Sequence, residues 1–153
     1  MTQEEKDLLL RDICSRMPYG VKFKHEDKHT LCEILSITPI YDYENVIYFN
    51  DYINHPKKCN IDDVKPYLFP MSSMSEEQSM ELFKLFVISS VDSIGANYIK
   101  INECTGITFF LDKGFNVETH LDKLIDWLNK NHFDYRGLIE KGLAIDATNL
   151  NIY

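Results

Sequence analysis

Arg136 is the side chain whose type and setting most directly suggest a binding site. It lies in the segment NHFDYRGLIEKGLAIDATNLN, residues 131–151, and is the only arginine in the second half of the chain. A guanidinium makes paired hydrogen bonds to a carboxylate or phosphate, so Arg136 with Tyr135 would suit an anion. The alternative is structural: Asp134 caps a helix of about two turns, YRGLIEKG, and Gly142 follows its end. We favour the structural interpretation, because buried anion clamps are rare.

A second candidate site is the tyrosine-rich stretch YDYENVIYFNDYINH, residues 41–55. Tyrosines offer large, rigid contact areas with a polar tip, which is typical of recognition surfaces, and they also stack on flat ligands such as nucleotide bases. Alternatively, strand alternation buries Ile47 and Phe49 on one face of a strand and turns Val46 the other way. Both interpretations stay open, and the candidate binding residues are Tyr41, Tyr43, Tyr48 and Tyr52.

A third candidate is an acidic stripe made by Glu118, Asp122 and Asp126, which recur every four residues. On a helix this spacing places all three carboxylates on one side, opposite Leu121 and Leu128. A solvated helix face is the ordinary interpretation, and a docking surface for a basic partner is the functional one.

Histidines and cysteines raise the question of a metal. Ligand types occur in HEDKHTLC, which contains His25, His29 and Cys32, and in HPKKC, which contains His55 and Cys59. The spacing argues against zinc, because the first two histidines flank a predicted hairpin turn and neither group has a zinc-finger pattern. We predict no metal site.

Catalytic motifs are missing from the sequence. It contains no GxSxG, P-loop, GxGxxG or HExxH pattern, and Ser72, Ser73 and Ser75 suit turn and cap positions better than nucleophilic roles. We therefore predict no catalytic residues, no enzyme and no cofactor.

These candidates must be positioned by an α+β fold. Thr2 and Glu5 have the spacing of a capping box, which predicts an amphipathic helix over residues 3–16. Four segments rich in β-branched and aromatic residues then predict a small antiparallel meander or open barrel: VKFKH, TLCEILSIT, NVIYFND and VKPYLF.

The second half of the chain begins after Pro70. Ser75 and Gln78 form another capping-box spacing, which predicts a helix to about residue 90, with Met80 and Phe83 on its buried side. A β-hairpin, a helix that starts near Asn116 and the short C-terminal helix follow. The predicted organisation is therefore 1–70, a helix with a small β unit, and 71–153, a C-terminal α/β lobe, which together could form one compact domain.

Composition indicates the cellular compartment and the kinds of partner to expect. The chain of 153 residues has a net charge of −8, which disfavours direct nucleic-acid binding but not a protein partner with a basic surface. Its four cysteines lack CxxC spacing and its start lacks a signal peptide, so we expect reduced thiols in the cytoplasm. No apolar run reaches the roughly 20 residues of a membrane span.

Two segments, VKPYLFPMSSMSEEQ and LNKNHFDYRGLIEKGLAIDATNLNIY, resemble parts of a family of small uncharacterised proteins of gut bacteria and their phages. Together they cover about a quarter of the chain. The resemblance implies a cytoplasmic protein of phage or mobile-element origin, and it implies no catalytic or binding residue.

The functional prediction is a non-enzymatic protein that binds a host protein through its tyrosines and acidic helix face. A small-ligand binder, such as a sponge for a signalling nucleotide, is the alternative and would use Tyr43, Tyr48, Tyr52 and Arg136. A hydrolase with an unrecognised site is the third hypothesis.

Overall fold

The computed structural model describes residues 1–25, 31–39, 45–50, 56–85, 99–102, 106–109 and 121–153, in two compact units. Unit 1 comprises Met1–Leu68 and Arg136–Tyr153, and unit 2 comprises Phe69–Tyr135. The division falls close to the predicted boundary at residue 70. Residues 136–153, however, belong to the first unit rather than to the C-terminal lobe in which the sequence analysis placed them.

The described helices are separated by runs of mostly antiparallel strands, which confirms the predicted α+β fold class. The described helices are α1 (Gln3–Arg16), α2 (Glu76–Lys84) and α3 (Leu121–Lys130). The described strands are β1 (Lys22–His25), β2 (Leu31–Pro39), β3 (Asn45–Asn50), β4 (Pro56–Asn60), β5 (Val64–Pro70), β6 (Ile99–Asn102), β7 (Gly106–Phe109), β8 (Phe133–Asp134) and β9 (Ile145–Asp146).

Helix α1 begins at the predicted capping box. The Glu5 backbone N–H donates to Thr2 Oγ1 at 3.2 Å, and the Thr2 N–H donates to Glu5 Oε2 at 2.7 Å. A 3-10 turn follows the helix, with Pro18 near its start. Gly20 then adopts a φ of 75°, a left-handed value at which a residue with a Cβ would be strained. The predicted helix over residues 3–16 is thus confirmed at both ends.

The sheet of unit 1 has five antiparallel strands in the order β4-β3-β2-β1-β5, and β9 pairs in parallel with β5. Four of the five antiparallel strands match the predicted segments within two residues, whereas β4 lies outside them. The reason is its composition, because Pro56, two lysines and an asparagine surround a single buried apolar residue, Cys59. Pairing with β3, not strand propensity, holds β4 in the sheet.

One face of this sheet and helix α1 form the core of unit 1. Leu9 and Ile13 on the helix are fully buried, as is Phe23 on β1, whose ring meets Phe49 edge-on at 5.2 Å. Leu138, Leu143 and other residues after Arg136 belong to the same cluster. The C-terminal segment is therefore part of the core that α1 covers.

The predicted short C-terminal helix is reduced to one turn. Asp134 lies in β8 rather than at a helix cap, and the Lys141 N–H donates to the Gly137 carbonyl at 3.3 Å. The turn ends where the Leu143 N–H reaches the Leu138 carbonyl at 2.9 Å, with Gly142 at a φ of 69°. Gly142 is therefore the helix-ending glycine that the sequence predicts.

Unit 2 contains α2, the β6-β7 hairpin, α3 and the pairing of β8 with the end of β5. Its core contains Leu82, Leu124, Leu128 and Phe133. The capping box of α2 is confirmed, because the Ser75 and Gln78 side chains each accept from the other's N–H. Met80, predicted on the buried side, is instead 57% exposed. The side chain of Phe83, and Asn116, lie outside the described residues.

In the described residues, none of the helices combines the length and apolar character required to cross a bilayer.

Candidate functional site

Helix α3 presents the acidic stripe to solvent. Asp122 and Asp126 are exposed, whereas Leu124 and Leu128 on the other side of the helix are 6% and 1% exposed. The third member of the stripe, Glu118, lies outside the described residues. The structure therefore shows two of the three predicted carboxylates on the same exposed helix face.

Packing within unit 2 determines which side of α3 faces outward. The Trp127 ring stacks on Phe133 with 5.7 Å between centroids and 10° between planes. At the end of the helix, the Tyr135 hydroxyl donates to Asn129 Oδ1 at 3.0 Å. His132 adopts a φ of 56°, the left-handed conformation that commonly ends a helix. These contacts hold α3 at its C-terminal half and keep the acidic side in water.

Glu81 on α2 adds a carboxylate that the sequence analysis missed. Its Oε2 accepts from Trp127 Nε1 at 3.4 Å, next along the chain from Asp126. Glu81 is also exposed, so we define the acidic face as Glu81, Asp122 and Asp126. No spacing rule within one helix connects Glu81 to the stripe, because the contact depends on how α2 packs against α3.

Of the four candidate tyrosines, Tyr48 lies in the described residues, whereas Tyr41, Tyr43 and Tyr52 do not. Tyr48 is half-buried on β3, opposite Ser36 of β2 and Lys58 of β4. Its neighbours Ile47 and Phe49 are buried, as strand alternation predicts. The Tyr48 ring therefore lies on the outer side of the sheet, away from the core.

Arg136 is held by residues of α1 in unit 1. Its Nε lies 3.3 Å from Asp12 Oδ1, and its Nη2 donates to Ser15 Oγ at 3.4 Å. The side chain is 21% exposed. The position of Arg136 thus favours the structural interpretation, in which the arginine attaches the C-terminal segment to the first helix.

The same carboxylate also binds Arg16. Arg16 Nε donates to Asp12 Oδ2 at 2.8 Å and Arg16 Nη2 donates to Asp12 Oδ1 at 2.9 Å, and both side chains are fully buried. We call Asp12, Arg16 and Arg136 the buried ion cluster. Sequence analysis missed it because an Asp–Arg pair four residues apart usually lies on a solvated helix surface. A signal was present, since Leu9, Ile13 and Arg16 share one helical face.

No group of three metal-ligating side chains occurs among the residues for which positions are described. His29 and His55 fall outside them. Cys59 is a free thiol that is 8% exposed, and burial, with the nearby Asp63 carboxylate, raises its pKa to about 12. A thiol with this pKa is protonated near neutral pH and is a poor ligand and nucleophile.

A polar cavity of about 340 Å³ lies in unit 1, with both signs of charge in its lining. Glu5, Asp62, Lys65 and Lys141 are among the residues that line it. A hydrogen bond from Lys6 lowers the pKa of Asp62. Neither Tyr48 nor Arg136 lines this cavity, so it does not combine the residues that the small-ligand hypothesis requires.

No family model matches the chain, and neither the curated proteins nor the solved structures provide a match to it.

Proposed function

We propose that this protein is a non-enzymatic binding protein that acts on a host protein with a basic surface. The observation that supports the proposal is the exposure of Asp122 and Asp126 on α3, opposite the buried Leu124 and Leu128. A phage or mobile-element origin and a cytoplasmic location, which the resemblance of the two sequence segments implies, are part of the same proposal, as is a role in counter-defence.

The geometry of the acidic face suits basic side chains. Carboxylates four residues apart on a helix lie roughly 6 Å from each other, a distance that two neighbouring lysines or arginines of a partner match. Because α3 is held by Trp127 and Asn129, the carboxylates are positioned before a partner arrives. Complementary charges at such a rim raise the association rate and make the affinity depend on salt.

The tyrosine-rich stretch of unit 1 is a second, separate contact region in this proposal. Tyr48 stands on the outer side of the sheet, and its half-buried ring offers a rigid edge with a hydroxyl. In this proposal Tyr41, Tyr43 and Tyr52 extend the contact area around it.

The experiment is native mass spectrometry of the tagged protein recovered from host lysate at low salt. We expect a co-purifying basic protein, whose affinity falls about tenfold or more in the variant Asp122→Lys/Asp126→Lys, since two favourable charges become repulsive. The matched control is Asp7→Lys/Glu140→Lys, which changes the net charge equally at exposed positions of unit 1. Equal binding by the two variants would show that α3 is not the docking surface.

The small-ligand alternative is less well supported. Arg136, its only arginine, contacts Asp12 and Ser15 rather than lying in the described cavity. A thermal shift with a panel of nucleotides tests this alternative. A stabilisation that disappears in Tyr48→Ala would favour it over protein binding. The described site presents no nucleophile paired with a general base, so it adds no support to the hydrolase hypothesis.

A further inference from the structure

The outer face of the unit 1 sheet carries lysines that the sequence does not group together. Phe23 is fully buried on β1, so strand alternation places Lys22 and Lys24 on the opposite, outer face. Residues paired directly across neighbouring strands share a face. Lys65 of β5 is paired with Lys24, and Lys58 of β4 is paired with the outward Tyr48.

These four residues define the basic sheet face: Lys22, Lys24, Lys58 and Lys65. Lys24, Lys58 and Lys65 are exposed, and among the described residues no ion pair joins any of the three to a carboxylate. Lys22 is different, because it is paired with Glu33, donates to the Ile152 carbonyl and lies 5.2 Å from the Tyr153 ring. Lys24 and Lys58 therefore keep their charge available to a partner, and Lys65 is exposed beside Lys24 although it also lines the cavity that Glu5 and Asp62 line.

The two closest positive charges on this face, those of Lys24 and Lys65, repel each other. Lys24 and Lys65 are directly paired on antiparallel strands, where like charges destabilise the sheet. On its other side Lys24 is paired with Leu31, which is uncharged. An anion that contacts both lysines would relieve this repulsion, so the pair favours an acidic ligand.

Apolar side chains lie among the lysines. Leu31 is half-buried beside Lys24, and Leu35 is 46% exposed at the bulge where β2 shifts its register against β3. Pro56 of β4 is exposed as well. A surface that alternates ammonium groups and aliphatic patches suits a polypeptide with acidic and apolar side chains.

We propose that the basic sheet face binds an acidic segment of a partner protein. This proposal goes beyond the acidic face of unit 2, because it uses a surface of opposite charge in unit 1. Five strands spaced about 4.8 Å apart span roughly 20 Å, which an extended segment of about six residues crosses.

A nucleic acid is a less suitable ligand for the basic sheet face than an acidic protein segment. The chain has a net charge of −8, which repels a long, uniformly charged backbone more than a short acidic segment. Binding of single strands also uses exposed aromatic rings for stacking. On this side of the described sheet Tyr48 and Tyr67 are half-buried. The exposed Tyr153 already has the Lys22 ammonium 5.2 Å from its ring centroid, and its hydroxyl donates to the Tyr67 carbonyl.

The test uses a fluorescent peptide of about a dozen residues that contains glutamates and leucines, and fluorescence anisotropy at low and physiological salt. We expect binding that weakens with salt and falls about tenfold or more in Lys24→Gln/Lys65→Gln. This variant should fold, because it removes the repulsion between two exposed side chains. NMR shifts of β1 and β5 amides on peptide addition should place the contact on this face.

The controls distinguish binding at the basic sheet face from a general effect of the protein's net charge. Lys123→Gln/Lys130→Gln removes the same charge from exposed positions of α3 and should bind within about twofold of the unmodified protein. A peptide with glutamine in place of glutamate should not bind. The proposal is overturned if the two lysine variants lose affinity equally, if both peptides bind alike, or if an oligothymidine of the same length binds more tightly than the acidic peptide.

Discussion

Replacement of Asp12 by alanine should be among the most damaging single changes in unit 1. Asp12 and Arg16 are both 0% exposed and joined by two hydrogen bonds of 2.8 and 2.9 Å. Asp12→Ala would leave the Arg16 guanidinium buried without its carboxylate, which typically costs about 3–5 kcal/mol. Native proteins have a free energy of unfolding of roughly 5–15 kcal/mol, so the substitution would remove a large share of the stability of unit 1.

Arg136, the second arginine that contacts Asp12, provides a comparison for the effect of Asp12→Ala. Arg136→Met removes an ion pair at 3.3 Å from a side chain that is 21% exposed, while Asp12 keeps both hydrogen bonds to Arg16. We expect a loss of only about 1 kcal/mol. The double variant Asp12→Leu/Arg16→Met removes both buried charges and should recover most of the stability, because apolar replacements of similar size are often neutral.

The assay is urea unfolding followed by circular dichroism, combined with hydrogen exchange of the α1 and β1 amides. Asp7→Ala, at an exposed position of the same helix, is the matched control and should cost less than about 0.5 kcal/mol. A cost below about 1 kcal/mol for Asp12→Ala would refute the stabilising role of the buried ion cluster. A cost for Arg136→Met larger than that for Asp12→Ala would show that Arg136, and not Arg16, is the partner on which Asp12 depends. No measurable cost for Arg136→Met would return Arg136 as a candidate ligand-binding residue.

Three further predictions concern unit 1. Lys65→Glu should stabilise the protein by about 0.2–1 kcal/mol in urea unfolding by turning its repulsion with Lys24 into attraction, and a loss would contradict the register. Burial raises the pKa of Tyr153 to about 12, so the stability that the protonated phenol contributes is lost as pH rises from about 10 to 12. The variant Tyr153→Phe should therefore show a shallower alkaline decline in melting temperature. Iodoacetamide at about pH 8 should label the exposed Cys14 before Cys59, whose pKa is about 12; faster labelling of Cys59 in mass spectrometry would contradict its burial.

Local signals in the sequence predicted most of the described elements. The Thr2 and Ser75 caps are confirmed because a capping box needs residues only three apart. Strand β4 was missed because its pairing with β3 is not encoded by alternation of its own residues. The exposed Met80 shows the same limit, since apolar periodicity does not say how much of a helix its neighbours cover.

The candidate sites depended more on tertiary contacts. Asp122 and Asp126 could be predicted from spacing within one helix, whereas Glu81 joins them through packing between α2 and α3. The buried ion cluster likewise unites Arg136 with Asp12, more than a hundred residues earlier in the chain. Such pairings need the fold before they can be recognised.

The basic sheet face shows why net charge was an incomplete guide to partners. The net charge of −8 gives no sign of a basic patch, but a strand exposes every second residue and a sheet aligns residues from distant strands. Lys24 and Lys65 are 41 positions apart and directly paired. A partner within a Debye length of about 8 Å senses this local charge more strongly than the overall −8. Because the acidic face belongs to unit 2 and the basic sheet face to unit 1, charge changes at one should leave binding at the other intact. Loss of both binding activities in either variant would contradict their assignment to separate faces.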